Sequence, residues 1–180
     1  MIRALALIAA LIFAAPAIAQ QLPANLDKAN AIVIDTTKGR IVIQLRTDIA
    51  PKHAERIEQL ARDGYYNNVP FHRVIAGFMA QTGDGQNFNG TGGSKCPNLK
   101  QEFSNVPFER GTVGMARASS VDSANSQFFI CFDNASFLNN KYTVIGKVVQ
   151  GMDVVDRINR GEPPANPDKM VKVQVASDMK

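Results

Sequence analysis

The hydrophobic pattern along the chain has mostly the period of two that belongs to strands. Ala31-Ile32-Val33-Ile34-Asp35-Thr36 and Arg40-Ile41-Val42-Ile43-Gln44-Leu45 are β-branched runs flanking Thr37-Lys38-Gly39. Two such runs joined by a short loop containing Gly predict a β-hairpin. The period then changes. Asp48 and Pro51 form a helix-start signature, Ala54, Ile57, Leu60 and Ala61 follow at helical spacing, and Gly64 supplies the stop. Residues 71–76 and 78–82 read as short strands broken at Gly77, and residues 112–116, 127–132 and 142–149 as further strands. Met152, Val155 and Ile158 share one face of a second amphipathic helix over 152–158, while Val171, Val173 and Val175 line one side of a last strand over 170–175. Residues 83–95 hold five of the 13 glycines and read as loop. Many short β-branched strands with only two helices predict a mainly β fold. Closing the sheet into a barrel buries those residues and removes exposed edges.

Length and composition narrow the class. At 180 residues the chain is one domain, and 45% hydrophobic with 20% charged residues excludes wholesale disorder, a collagen-like repeat and a disulfide-dense scaffold. The net charge of +4 is spread along the chain with no basic block, so nothing supports a nucleic-acid partner. The N-terminus is different. Arg3 precedes an uncharged Ala/Leu/Ile run from Ala4 to Ile18, and Ala17-Ile18-Ala19 places small residues where a signal peptidase reads. A run of about 15 residues is too short for a membrane span of about 20. Residues 1–19 are therefore expected to be a signal peptide and residues 20–180 the mature domain, exported, with a bacterial periplasm as its destination and no membrane association after cleavage. Export permits a disulfide, but Cys131 lies in a strand-like run, Phe128 to Phe132, where a free Cys is a small apolar filler. Cys96 and Cys131 are both expected to be free.

The inventory of reactive groups is poor. The chain has no G-x-S-x-G, G-x-x-x-x-G-K or H-E-x-x-H pattern, and its only histidines are His53 and His72. No metal and no cofactor is expected. Asp84-Gly85 looks like a fragment of a phosphate- or Ca²⁺-binding turn without further ligands. On two strands, alternation sends Phe71, Arg73 and Ile75 to one face, and after a bend at Gly77 it sends Met79 and Gln81 to one face. Alone, this pattern fits two readings: a polar pair set in an apolar floor, or an Arg whose stem packs on the sheet while its head reaches solvent. Ser126-Gln127-Phe128-Phe129-Ile130 by itself reads as core strand.

Taken together these stretches resemble the cyclophilin-type peptidyl-prolyl cis–trans isomerases. The matching segments are residues 71–85, Gly114-Met115-Ala116, Ser126-Gln127-Phe128-Phe129-Ile130, Phe137-Leu138 and residues 142–148, in the family's order, with the resemblance running from about Ile32 to Val175. It implies a closed eight-stranded antiparallel β-barrel capped by two α-helices. It also implies Arg73 as the catalytic arginine with Gln81 as the active-site glutamine, and Phe78, Met79, Phe129 and Leu138 as the proline pocket. By the same resemblance Ala116 and Arg117 bind substrate backbone, Gln127 lines the groove, and Phe137 and Tyr142 complete the substrate-binding set. Three positions depart from the commonest family pattern: Arg117 replaces Asn, Phe137 replaces Trp, and Tyr142 replaces His. The Phe137 change implies weakened cyclosporin binding. The implied substrates are proline-containing unfolded or partly folded polypeptides, handled by a monomer. The alternative is a non-catalytic chaperone or docking module that grips proline segments. A lipocalin-type barrel is disfavoured because bulky Phe, Ile and Val at inward positions would fill its interior.

Overall fold

The computed structural model describes residues 21–180, so the signal peptide expected over residues 1–19 lies outside the described residues. In chain order the elements are β1 (Ala31–Thr36), β2 (Gly39–Leu45), α1 (Pro51–Arg62), β3 (Val69–Pro70), β4 (Arg73–Ile75), β5 (Met79–Thr82), β6 (Thr112–Met115), β7 (Phe128–Cys131), β8 (Val144–Gln150), α2 (Met152–Asp156) and β9 (Lys169–Val175). The β1–β2 hairpin forms as its pattern predicts, with Ile34 opposite Ile41 and Thr36 opposite Gly39. Helix α2 is shorter than the 152–158 expected. Its last turn stops at Asp156, although Ile158 is still buried in the core.

The nine segments hydrogen-bond in the order β3-β9-β1-β2-β8-β6-β7-β5-β4, and every named pair is antiparallel. The mainly β, two-helix architecture is the one implied by the sequence, but its closure differs in detail. The expected strand over 71–76 is two pieces. Val69 and Pro70 pair with Met170 and Lys169 of β9, and after Phe71 and His72 the chain pairs Arg73–Ile75 with β5. The run leaves one edge of the sheet and joins the other. A bent segment therefore joins the two edges, in place of a continuous eight-stranded ladder. Pro70 favours the break, because it has no N–H with which to extend a ladder. Phe71 N instead donates to Asp168 O at 2.9 Å, and Thr82 Oγ1 to Pro70 O at 2.9 Å.

Inside the curl, Ile32, Ile34, Ile41, Ile43 and Leu45 meet Ile57 and Leu60 of α1, Val154 and Val155 of α2, and Val113, Ile130 and Ile145. The space left among Ile32, Ile43, Phe128 and Ile145 is about 10 Å³. A single water needs roughly 10–15 Å³ and polar partners, so the interior is packed and offers no ligand cavity. Cys96 and Cys131 are free, and burial pushes the Cys131 thiol up to about 12.

The start of α1 is set from far away. Asp48, expected as its signal, chelates Arg46 with two 2.7 Å bonds, and Ala50 occupies the cap without a side-chain bond. Glu102 caps the helix in its place. Its carboxylate accepts from Lys52 N at 3.2 Å and His53 N at 3.1 Å, and lies 2.6 Å from His53 Nδ1. Two of the unpaired N–H groups of the first turn are satisfied in this way. His53 is fully buried, and desolvation holds its pKa below the usual imidazole value despite Glu102. His72, at the bend between β3 and β4, is also buried, and its pKa is lowered chiefly by desolvation.

Two expectations follow for stability. Glu102→Ala should cost about 1–2 kcal/mol in urea unfolding through loss of the cap. Both histidines have folded pKa values below their unfolded value of about 6.5, so the stability that they confer when neutral is present above that pH and lost on acidification. The urea midpoint should fall between pH 7.5 and 5.5, and a flat midpoint over that range would contradict the assignment.

Candidate active site

Four strands carry one transverse row across the outside of the curl. Arg73 on β4 stands opposite Gln81 on β5, Gln81 opposite Phe129 on β7, and Phe129 opposite Gly114 on β6. The next row, Val74, Ala80, Ile130 and Val113, is buried in the main core, as the two-residue alternation of strands requires. Gly77 makes the bend between β4 and β5 in the left-handed region, φ 69°, where the absence of Cβ removes the strain. Phe78 N then donates to Ile75 O at 3.1 Å, and this turn carries the Phe78 side chain to the rim of the row.

A cavity of about 130 Å³ opens beside this row, lined by Arg73, Phe78, Met79, Gln81, Ala116, Arg117, Phe129, Leu138 and Tyr142. These are nine of the eleven residues singled out from the sequence. Gln127 lines a neighbouring cavity of about 390 Å³ that shares Gln81, Ala116 and Arg117 with the first. Phe137 lines neither; it is 60% exposed, with its ring centroid 5.2 Å from that of Phe78. The smaller cavity has an apolar wall and two cationic side chains, Arg73 and Arg117. Arg73 Nε donates to Glu162 Oε1 at 2.8 Å, and the two Nη groups have no bond among the described residues. Gln81 Nε2 donates to Gln127 Oε1 at 2.9 Å, and Gln127 Nε2 to Gly90 O at 2.9 Å and Gly92 O at 2.8 Å. This chain of bonds leaves Gln81 Oε1 as an acceptor beside Arg73.

A family model described as cyclophilin type peptidyl-prolyl cis-trans isomerase/CLD matches residues 31–177. The chain belongs to this family. A probable peptidyl-prolyl cis-trans isomerase of Brucella suis is 50% identical over 169 residues, 86% of each chain. A peptidyl-prolyl cis-trans isomerase of Acinetobacter baylyi is 39% identical over 165 residues, 83% of this chain and 87% of that one. Among solved structures, the cyclophilin AquaCyp293 from Hirschia baltica superposes with a TM-score of 0.80 at 30% identity, covering 86% of this chain and 77% of its own. The protein is a peptidyl-prolyl cis–trans isomerase.

Phe108 and Glu162 also shape the site of this cyclophilin, and neither was singled out from the sequence. Phe108 stacks on Phe129 at 5.7 Å between centroids, and Tyr142 meets Phe129 edge-on at 5.9 Å. Gly114 lies beneath both phenyl rings: a Cβ there would lie 2.5 Å from Phe108 Cε1 and 2.6 Å from Phe129 Cζ. Glu162 is 89 residues from Arg73, and its loop is fastened to β4 by two 2.8 Å backbone bonds between Val74 and Gly161. Asp84 is buried, and its carboxylate accepts backbone N–H bonds from Gln86, Asn87, Asn89, Gly90 and Gly92. Burial raises its pKa, but these bonds outweigh burial and hold it below the usual carboxylate value. The Asp84-Gly85 fragment is thus an internal anchor for the loop that carries Gly90 and Gly92. Its oxygens are taken by the loop itself.

Gly114→Ala tests the packing beneath the pocket. The added methyl must displace Phe108 or Phe129, and overpacking of this kind costs about 1–3 kcal/mol. Both urea stability and affinity for a proline peptide should fall. Unchanged peptide affinity would mean that Phe129 does not form the pocket floor.

Proposed function

We propose that this cyclophilin is an exported, monomeric folding catalyst in which Arg73 is the catalytic group. The observation that carries the reading is a guanidinium tethered at one edge, by Nε to Glu162, on the wall of a 130 Å³ cavity otherwise formed largely by Phe78, Met79, Phe129 and Leu138. Rotation about an X–Pro bond has a barrier of about 18–20 kcal/mol, because resonance gives the C–N bond partial double-bond character. Acceleration requires the twisted amide to be bound better than either planar form. The apolar wall holds the pyrrolidine ring while the preceding carbonyl rotates. As resonance is lost the proline nitrogen becomes pyramidal and gains a localised lone pair, to which an Arg73 Nη–H donates. The fixed fork of a guanidinium suits this task. Gln81 Oε1 is an acceptor next to that fork, and Ala116 and Arg117 flank the substrate backbone. The chemistry breaks no covalent bond and needs no nucleophile.

Export rests on Arg3, the following apolar run and Ala17-Ile18-Ala19. N-terminal sequencing of the fractionated native protein should begin at Gln20, in the periplasm. Recovery of Met1 in soluble cytosolic material would overturn this part.

Arg73→Ala should lower kcat/KM for an X–Pro peptide by about 10²-fold, roughly 2.7 kcal/mol of transition-state stabilisation, and Arg73→Lys should restore little of it. A rate within about threefold of the unmodified enzyme would remove Arg73 from the mechanism. It would leave the protein's grip on proline segments as the reading to pursue.

A further inference from the structure

We infer that the groove selects client segments carrying a carboxylate side chain next to the proline, with Arg117 as the residue that reads it. This rests on the isomerase reading above and names the substrate class of the same site. Arg117 lines both the 130 Å³ cavity and the 390 Å³ cavity, so a chain whose proline fills the first passes its guanidinium on the way to the second. Besides the guanidiniums of Arg117 and, in the smaller cavity, Arg73, the two cavities are walled by apolar side chains, amides, hydroxyls and glycine backbone, and among the described residues neither is lined by an Asp or a Glu.

The two guanidiniums of the groove differ in their counter-charges. Arg73 is matched by Glu162 at 2.8 Å. Among the described residues Arg117 has only neutral partners: Nε and Nη2 donate to Lys141 O at 3.2 and 3.0 Å, and Nη1 donates to Ala118 O at 2.9 Å and Ser119 O at 3.2 Å. Its guanidinium carbon lies 4.6 Å from the Tyr142 ring centroid. Carbonyl dipoles and an aromatic face orient a guanidinium without cancelling its charge. Of its five N–H groups four are used, and one on Nη2 remains. The nearest acid in sequence, Asp122, accepts from Gln101 N at 2.9 Å and lines neither cavity. The result is a half-buried, held cation with a spare donor and, among the described residues, no anionic partner, between two cavities that it lines in common. A client carboxylate supplies the missing partner, and a client Lys or Arg meets an uncompensated like charge.

The test uses short peptides with one central Ala-Pro bond and Glu, Ala or Lys substituted in turn at each of the three positions on either side. The readout is kcat/KM within one enzyme, expressed as the Glu-to-Lys ratio at each position. The unmodified enzyme should favour Glu over Ala by about fivefold in at least one position and disfavour Lys, which is the order of one exposed charge pair. The ratio should shrink toward unity in high salt. It should also collapse in Arg117→Gln and survive in Arg117→Lys. Because each ratio is taken within one variant, a general loss of activity in that variant does not affect it. Turnover of the Ala peptides with Glu and Lys equal within twofold everywhere would overturn this inference and leave the isomerase reading standing, as would a ratio that persists in Arg117→Gln. No turnover of any peptide would overturn both.

Discussion

The site depends on the register of four strands. Arg73, Gln81, Phe129 and Gly114 face the groove because Val74, Ala80, Ile130 and Val113, one step along each strand, are buried in the core. A slip of one residue would turn every one of these side chains to the opposite face. Arg73 and Gln81 would then enter an apolar interior without partners, at a cost of several kcal/mol each. Val74 and Ile130 would be exposed, at about 1.5–3 kcal/mol each. The hydrophobic core therefore sets the position of the groove-facing row without any of these core residues lining the groove.

Around that row, polar groups are aimed by contacts distant in sequence. Glu162 holds one edge of Arg73, Gln127 links Gln81 to the backbone of the glycine-rich loop, and Asp84 holds that loop by five backbone bonds. Each bond is modest, and the exposed Arg73–Glu162 pair adds little to stability. Their effect is on orientation. A reaction that moves no proton and breaks no covalent bond depends on where donors and apolar walls stand, and these contacts govern that placement.

The elements with strong local signals were the legible ones. The β1–β2 hairpin, the apolar stripe of α1 and the inward Val alternation of β9 follow from neighbours a few residues apart. Alternation also placed Arg73 and Gln81 on strand faces, while their shared face needed the observed cross-strand pairing. Apart from the early end of α2, the misses in the fold were decisions made at long range. The division into β3 and β4 depends on two different pairing partners, β9 and β5. Glu102 displaced Asp48 as the cap of α1 because tertiary packing brings a carboxylate to His53 from 49 residues away. Glu162 and Phe108 leave no periodic trace, since what matters is the side chain each meets. Phe137, carried into the site by resemblance, stands at the rim against Phe78 and lines neither cavity.

In the proposed mechanism Arg73 acts on the twisted amide and contributes little to holding the planar one. Exchange spectroscopy on a peptide bound to the unmodified enzyme and to Arg73→Ala separates the two quantities, because it reads the on-enzyme cis–trans rate and the dissociation constant in one experiment. Arg73→Ala should lower the on-enzyme rate by about 10²-fold while changing the dissociation constant by less than about threefold. Equal losses in rate and affinity would contradict that mechanism and make Arg73 a residue that binds the ground state.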